Sequence, residues 1–136
     1  MKDFVWVLDQ TVIAIHEEQL AEHGGLSGVR DSNAVLVALS RPKNKHAYEA
    51  CDDIAELAAA YIYSIAKNHR FADGNKRTSL VLGDLFLMLN GYELTSTPVQ
   101  NVLTIVAVAD GSMSEENLSH WIRENMKKQH SKITRR

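Results

Sequence analysis

A nine-residue stretch, HRFADGNKR from His69 to Arg77, holds the residue types that phosphate chemistry requires. Histidine has an ordinary pKa of about 6.5, so His69 is a candidate general base that takes the proton of an attacking hydroxyl. Magnesium is usually held by one or two carboxylates together with substrate phosphates, which makes Asp73 the candidate metal ligand. Phe71 lies between them and has no chemistry of its own, so we predict that its ring anchors the stretch.

The residues after this stretch predict a helix whose N-terminus lies at Gly74 and Asn75, because residues 80–89 are almost all apolar. The first backbone N–H groups of a helix lack intrahelical partners and the macrodipole is positive there, so a di- or triphosphate is favoured. Lys76 and Arg77 oppose that dipole at a cost of about 0.3–1 kcal/mol each. A bound polyphosphate would offset the cost, so all four residues are predicted to bind phosphate.

The stretch resembles the active-site motif of the Fic/Doc family, and its lysine variant resembles the Doc branch. Further Doc-like segments extend the resemblance over nearly the whole chain: Gly24 to Asp31, Ser40-Arg41-Pro42, Tyr48 and Asn90-Gly91-Tyr92. One departure is Arg70, which stands where many relatives have proline. The resemblance implies an all-α fold, with His69 as base, Asp73 on magnesium and an anion hole at Gly74 and Asn75.

Two positions favour one activity of that family over another. In most Fic relatives glycine stands at the position of Lys76, and a second arginine stands at the position of Leu80; those enzymes transfer AMP to protein hydroxyls. Resemblance to the Doc branch instead implies a toxin that uses ATP and Mg²⁺ to phosphorylate a threonine of elongation factor Tu. It also implies a small Phd-like antitoxin that docks a helix in a surface groove. Asn75, Lys76 and Arg77 would then join His69 and Asp73 in catalysis.

Two other functions stay open at this stage. The first is AMP transfer to a protein hydroxyl, which the shared family architecture supports and which Lys76 and Leu80 weaken. The second is a catalytically silent module that binds an antitoxin or regulates transcription with it. A purely structural interpretation of the motif is that it caps and orders a helix junction, since Asp and Asn are ordinary turn residues. The full nine-residue match ahead of an apolar helix favours a functional site.

Length and composition are typical of one small domain, which we place at residues 1–136. The chain has 136 residues, of which 45% are hydrophobic, enough for a single sizeable core. Its net charge of −2 gives no general attraction to nucleic acid or to a membrane. The apolar run near the N-terminus is too short for a signal peptide or a membrane span, and the single Cys51 fits a reducing compartment. We therefore expect a cytoplasmic protein, with a flexible basic tail over about 128–136.

Helical periodicity covers almost the entire chain, and no sustained alternation typical of a strand occurs. These patterns predict a compact bundle of six or seven helices. The first predicted helix runs from Asp9 as N-cap to about Glu22 and is stopped by Gly24-Gly25. The others are roughly Asp31 to Leu39 ending before Arg41-Pro42, about Asp52 to Asn68, the motif helix ending at Asn90-Gly91, one opening at a Thr97 to Gln100 capping box, and one from near Ser114 that carries Met126 inward. Val99 to Ala109 is apolar on nearly all sides, so it is predicted to be a central core helix.

Three local features have simple structural explanations. His16 and His23 lie two turns apart on the first helix, but zinc usually requires closer spacing and further ligands, so no metal is assigned there. The segment from Ser112 to Asn117 fits a loose inhibitory pattern of some Fic proteins, and it fits helix capping better. Cys51 has acidic neighbours in sequence, which would raise a thiol pKa, so it is predicted to be a small buried side chain rather than a nucleophile.

Overall fold

The computed structural model describes residues 3–25, 32–67 and 74–129. These residues form six helices and two short strands: α1 (Asp9–His23), α2 (Ser32–Glu49), α3 (Ile54–Ala66), α4 (Asn75–Leu89), β1 (Tyr92–Leu94), α5 (Pro98–Asp110), α6 (Glu115–Glu124) and β2 (Met126–Lys128). The predicted all-α bundle is confirmed. No helix among the described residues is both long and apolar enough to cross a membrane.

Helix α3 lies at the centre of the bundle and contacts α2, α4, α5 and α6. Asp53 is its N-cap, and one carboxylate oxygen accepts a hydrogen bond from the Ala55 backbone at 2.9 Å. Every residue of α3 is buried except Glu56 and Tyr63. The small side chains of the run from Ala58 to Ala60 allow neighbouring helices to pack close to the α3 backbone.

Helix α5 is not the core helix that its composition predicts. Its start is as expected, because Thr97 and Gln100 form a capping box with proline at the first helical position. Only three of its residues are buried: Thr104, Ile105 and Val108. Its other large apolar side chains are exposed, namely Val99 (68%), Val102 (55%), Leu103 (65%) and Val106 (43%). The prediction failed because the helix has neighbours on one side only.

Helix α2 continues through Pro42, whereas the sequence predicted an end before it. Proline lacks an N–H donor and clashes with the preceding turn, which disfavours a helix interior. Here Pro42 is itself buried, and α2 packs along α3, so tertiary packing offsets the local cost. Arg41 adds an ion pair of 2.6 Å with Glu115 at the start of α6. The helix ends where Ala50 adopts a positive φ of 54°.

The N-terminal segment before α1 is fastened to the far end of α4. The Asn90 side chain accepts a hydrogen bond from the Val5 amide at 2.8 Å and donates one to the Val5 carbonyl at 2.9 Å. The Trp6 ring stacks on Phe86 with centroids 5.6 Å apart. Asn90 also serves as the C-cap of α4, and Gly91 follows with φ 88°, as predicted. The C-terminal end of the motif helix is therefore held by side chains distant in sequence.

Strands β1 and β2 form a small antiparallel pair that sequence analysis missed. Tyr92 lies opposite Lys128, and Leu94 lies opposite Met126. Three residues per strand are too few to show an alternating pattern. Lys128, which the sequence placed at the start of a flexible tail, thus belongs to a strand, while residues 130–136 lie outside the described residues. Met126 belongs to β2 and not to the last helix.

The first and last helices of the chain, α1 and α6, begin close to their predicted positions. Helix α6 follows Ser114, whose hydroxyl oxygen accepts a hydrogen bond from the Asn117 amide at 3.1 Å. This confirms capping as the role of that serine. Helix α1 begins at Asp9 itself, and Leu8 occupies the N-cap position without a side-chain bond. It ends before Gly24, which has φ 81°, as the glycine pair predicted.

Candidate active site

The described part of the motif is its second half, from Gly74 to Arg77. His69, Phe71 and Asp73 lie outside the described residues, so their roles as base, anchor and metal ligand stay predictions.

Gly74 forms the turn that opens α4, as the sequence predicted. Its φ of 77° and ψ of 15° place it in the left-handed region, where glycine avoids the strain that a Cβ would bring. The first intrahelical bond runs from the Thr78 amide to the Gly74 carbonyl at 2.9 Å. The amides of the three residues between them therefore point out of the helix end. The first turn of α4 contains no acidic side chain. No residue of the helix itself therefore neutralises the positive end of its dipole.

Lys76 lies in that first turn with an exposed side chain. Its ammonium forms no ion pair among the described residues. The backbone beneath it is fixed, because the Ser79 hydroxyl donates to the Lys76 carbonyl at 2.8 Å. An exposed ammonium on a hydrogen-bonded turn suits a point-charge contact with a phosphate group.

Arg77 is directed towards α1. Its Nη2 donates to the Gly24 carbonyl at 3.1 Å, at the negative C-terminal end of α1. The sequence predicted that a bound polyphosphate would offset the cost of placing Arg77 here, and the Gly24 carbonyl is a partner for it within the chain. Arg77 Nε is buried and has no hydrogen-bond partner among the described residues. Lys76, whose side chain forms no ion pair among the described residues, is therefore the better candidate of the two for contact with an external anion.

Two α1 side chains form the wall behind the Gly74 turn, and sequence analysis did not assign them to the site. A Cβ placed on Gly74 would lie 3.3 Å from Leu20 Cδ2 and 3.5 Å from His16 Cδ2. His16 is 2% exposed. Its partner in the rejected zinc pair, His23, is exposed, so the two imidazoles do not share one environment. The four-residue spacing of His16 and Leu20 places both on one stripe of α1, but nothing in the sequence links that stripe to Gly74.

Leu80 lies one turn further along α4 and presents hydrocarbon where a second arginine would stand. It lines a cleft of about 300 Å³ together with Val81, Asp84, Leu94, Ser96 and Asn101. Burial raises the pKa of the Asp84 carboxyl, and the nearby Glu93 raises it further. None of the described residues that line this cleft is a cation, so the cleft has no positive side chain for a nucleotide.

The other titratable groups of the described residues offer neither a metal site nor an activated thiol. No group of three or more His, Cys, Asp or Glu residues among them is arranged to hold a metal ion. Burial raises the pKa of the Cys51 thiol, and the Glu56 carboxylate contributes in the same direction. Cys51 is half-buried rather than buried as predicted, because its neighbours cover only part of it. The direction of its pKa shift agrees with the prediction from acidic neighbours, although burial is the larger cause. A raised pKa disfavours the thiolate form that a nucleophile requires.

Comparison with known proteins places this geometry in context. The family model described as the Fic/DOC family matches residues 6–87, which span α1 to most of α4 and include the motif. The chain is 33% identical over 114 residues to "Protein kinase doc" of Escherichia phage P1, covering 84% of this chain and 90% of that protein. It is 36% identical over 74 residues to "Toxin Doc" of Mycolicibacterium smegmatis, covering 54% of this chain and 57% of that protein.

Proposed function

Because this chain belongs to the Fic/DOC family, we propose that it is a Doc-like toxin that transfers the γ-phosphate of ATP to a threonine of elongation factor Tu. Translation would stop as a result. The observation that carries the proposal is Lys76, an exposed cation at the N-terminus of α4, beside backbone amides that point out of the helix end. The similarity to a phage protein named as a kinase supports phosphate as the transferred group.

The proposed reaction is an in-line displacement at the γ-phosphorus. The threonine hydroxyl oxygen forms a new bond to phosphorus while the bond from phosphorus to the bridging oxygen of ADP breaks. His69 takes the hydroxyl proton, so the products are phosphothreonine, ADP and a protonated imidazole that later returns its proton to solvent. Phosphoryl transfer depends on positioning and on charge stabilisation more than on covalent participation by the protein.

The helix end would hold the phosphates during this step. The amides after Gly74 donate to phosphate oxygens, and Lys76 neutralises part of their charge. Arg77 Nη2 already contacts α1, so its remaining N–H groups would serve the phosphates. Asp73 would hold magnesium together with phosphate oxygens, a donor set that this ion accepts. Magnesium, when bound, supplies further neutralisation of the charge on the transferred group.

AMP transfer is the rival chemistry within the same family. It is disfavoured by Leu80, which lines an apolar and acidic cleft rather than supplying a cation. The adduct mass separates the two reactions, because one phosphoryl group and one AMP group differ greatly. We therefore propose incubation of the purified protein with ATP, Mg²⁺ and elongation factor Tu, followed by intact mass and peptide mapping. Phosphothreonine is expected, and an AMP adduct would contradict the proposal.

Two variants test the residues that the proposal uses, and a third is their control. His69→Ala should reduce transfer by about 100- to 10,000-fold, the range of a lost general base, and should relieve growth arrest in cells. Lys76→Ala should weaken ATP binding and slow transfer. Lys43→Ala is the matched control, because Lys43 is an exposed lysine on α2, away from the helix end. A fully active and toxic His69→Ala protein would rule out the proposed mechanism.

A small Phd-like antitoxin is the proposed partner, with one of its helices docked in a surface groove. Coexpression of the neighbouring short reading frame should relieve growth arrest, and the two proteins should copurify. Calorimetry with Mg²⁺ and ATP addresses the remaining alternative, a catalytically silent binding module. Tight antitoxin binding without nucleotide binding would favour that alternative over an enzyme.

A further inference from the structure

Helix α1 contacts the start of α4 through two side chains and through the backbone just past its own end. His16 and Leu20 lie against Gly74, and the carbonyl of Gly24, the C-cap of α1, accepts the hydrogen bond from Arg77. His16 and Leu20 are spaced four apart, so they form a stripe along a single face of α1. The phosphate-binding turn of the proposed active site is therefore held by contacts with α1 as well as by the bonds of its own helix.

His16 is the unusual member of that stripe. Histidine is less often fully buried than aliphatic residues, and a buried polar ring lowers stability unless its nitrogens are satisfied. Val12 and Ile15, the other buried residues of α1, are apolar, so a leucine or valine would suit position 16 if filling the core were its only task. The residue type indicates a role that hydrocarbon does not supply.

The orientation of the ring indicates which nitrogen would act. The atom of His16 nearest to a Cβ placed on Gly74 is Cδ2, at 3.5 Å. Nε2 is bonded directly to Cδ2, whereas Nδ1 lies on the opposite side of the ring. Nε2 is therefore the ring nitrogen nearer to the atom that lies against the turn, and it can donate or accept a hydrogen bond according to its tautomer.

We propose that His16 is a positioning residue for the phosphate-binding turn, fixing the left-handed Gly74 conformation and hence the aim of the α4 amides through the Nε2 side of its ring. His16 itself is buried behind the backbone and does not touch the nucleotide. This inference rests on the proposed function only for its effect on catalysis, because anion binding at the helix end can be measured separately. A misplacement of about 1 Å can reduce a rate by about 100-fold, so a wall residue has a measurable effect.

The test compares three substitutions at position 16 with a matched packing control. His16→Gln keeps an amide nitrogen near the position of Nε2, His16→Asn keeps one near Nδ1, and His16→Leu keeps only the volume. Ile15→Ala is the control, because Ile15 is buried on the same helix but supplies none of the three atoms nearest to a Cβ on Gly74. The readouts are tripolyphosphate affinity by calorimetry, the Gly74 and Asn75 amide resonances by NMR, the thermal midpoint, and kcat and KM for ATP.

The expected result is a loss of tripolyphosphate affinity by about tenfold or more in His16→Leu and His16→Asn, with shifted Gly74 and Asn75 resonances. His16→Gln should retain most of the affinity. Ile15→Ala should lower the thermal midpoint while leaving affinity and both resonances unchanged. In the transfer assay, kcat should fall in the same order as affinity.

The possible outcomes separate this inference from the proposed function. If all three His16 variants bind tripolyphosphate as tightly as the wild type, the inference is wrong. If Ile15→Ala weakens binding as much as His16→Leu, the effect is general packing and the inference is again wrong. A wild type that binds tripolyphosphate but transfers no phosphate contradicts the proposed function alone, and a wild type that binds none contradicts both.

Discussion

Helices α3 and α5 are equally long and mostly apolar, but their surroundings differ. Each has 13 residues, most of them apolar, and each carries one acidic side chain. Helix α3 is buried on almost every side, whereas α5 exposes a stripe at Val99, Val102, Leu103 and Val106. The difference arises because α3 has helices packed around it and α5 lies at the edge, in contact with α3, α4 and α6 on one side. Hydrophobic content thus predicts that a helix can be buried, and topology decides whether it is.

The comparison is sharpest at two leucines. Leu57 in α3 is completely buried and Leu103 in α5 is 65% exposed. Leu57→Ala should lower the free energy of unfolding by about 2–5 kcal/mol, because it removes buried methyl groups and leaves a cavity. Chemical denaturation monitored by circular dichroism measures this loss. A loss below about 1 kcal/mol would mean that the core collapses around the gap and that α3 is less tightly enclosed than its burial indicates.

The next largest effect is expected where α4 meets α3. A Cβ on Gly83 would clash with Cδ1 and Cγ1 of Ile62, closer than real contacts allow. Gly83→Ala should therefore destabilise the protein by about 1–2 kcal/mol, since overpacking outweighs the gain of about 1 kcal/mol in helix propensity. The same substitution in an Ile62→Ala background should cost less, because the clashing atoms are gone. Additive costs in the two backgrounds would show that the contact is not the cause.

The smallest effect is expected on the exposed stripe. Leu103→Ala should change the free energy of unfolding by no more than about 0.5 kcal/mol, as for most surface substitutions. The measurement is the same denaturation experiment, repeated at several protein concentrations. A loss comparable with that of Leu57→Ala, or a midpoint that depends on concentration, would show that another molecule covers α5 in solution. The contrast between the two helices would then hold only for the isolated chain.

In the candidate site, too, some residues are positioned by their neighbours in sequence and others by the packing of distant helices. Gly74 and Lys76 occupy the positions that the sequence predicted, because a glycine turn and a helix start are set by neighbouring residues. Arg77 lies where the motif predicts, but its contact with Gly24 depends on how α1 packs against α4. The wall formed by His16 and Leu20 comes from a helix far earlier in the chain. No local pattern links these residues to Gly74, so only the folded chain reveals them.

The sequence by itself determined the helix starts at Thr97 and Ser114 and the end of α4 at Asn90. It also contained the candidate phosphate-binding motif. Caps and turns depend on hydrogen bonds within a few residues, so residue type and spacing are sufficient. Tertiary structure alone decided that α2 continues through Pro42, that α5 lies at the surface and that Arg77 contacts α1. Each of these outcomes depends on which distant face is available for packing, a free-energy contribution that exceeds local propensity and that no short stretch of sequence contains.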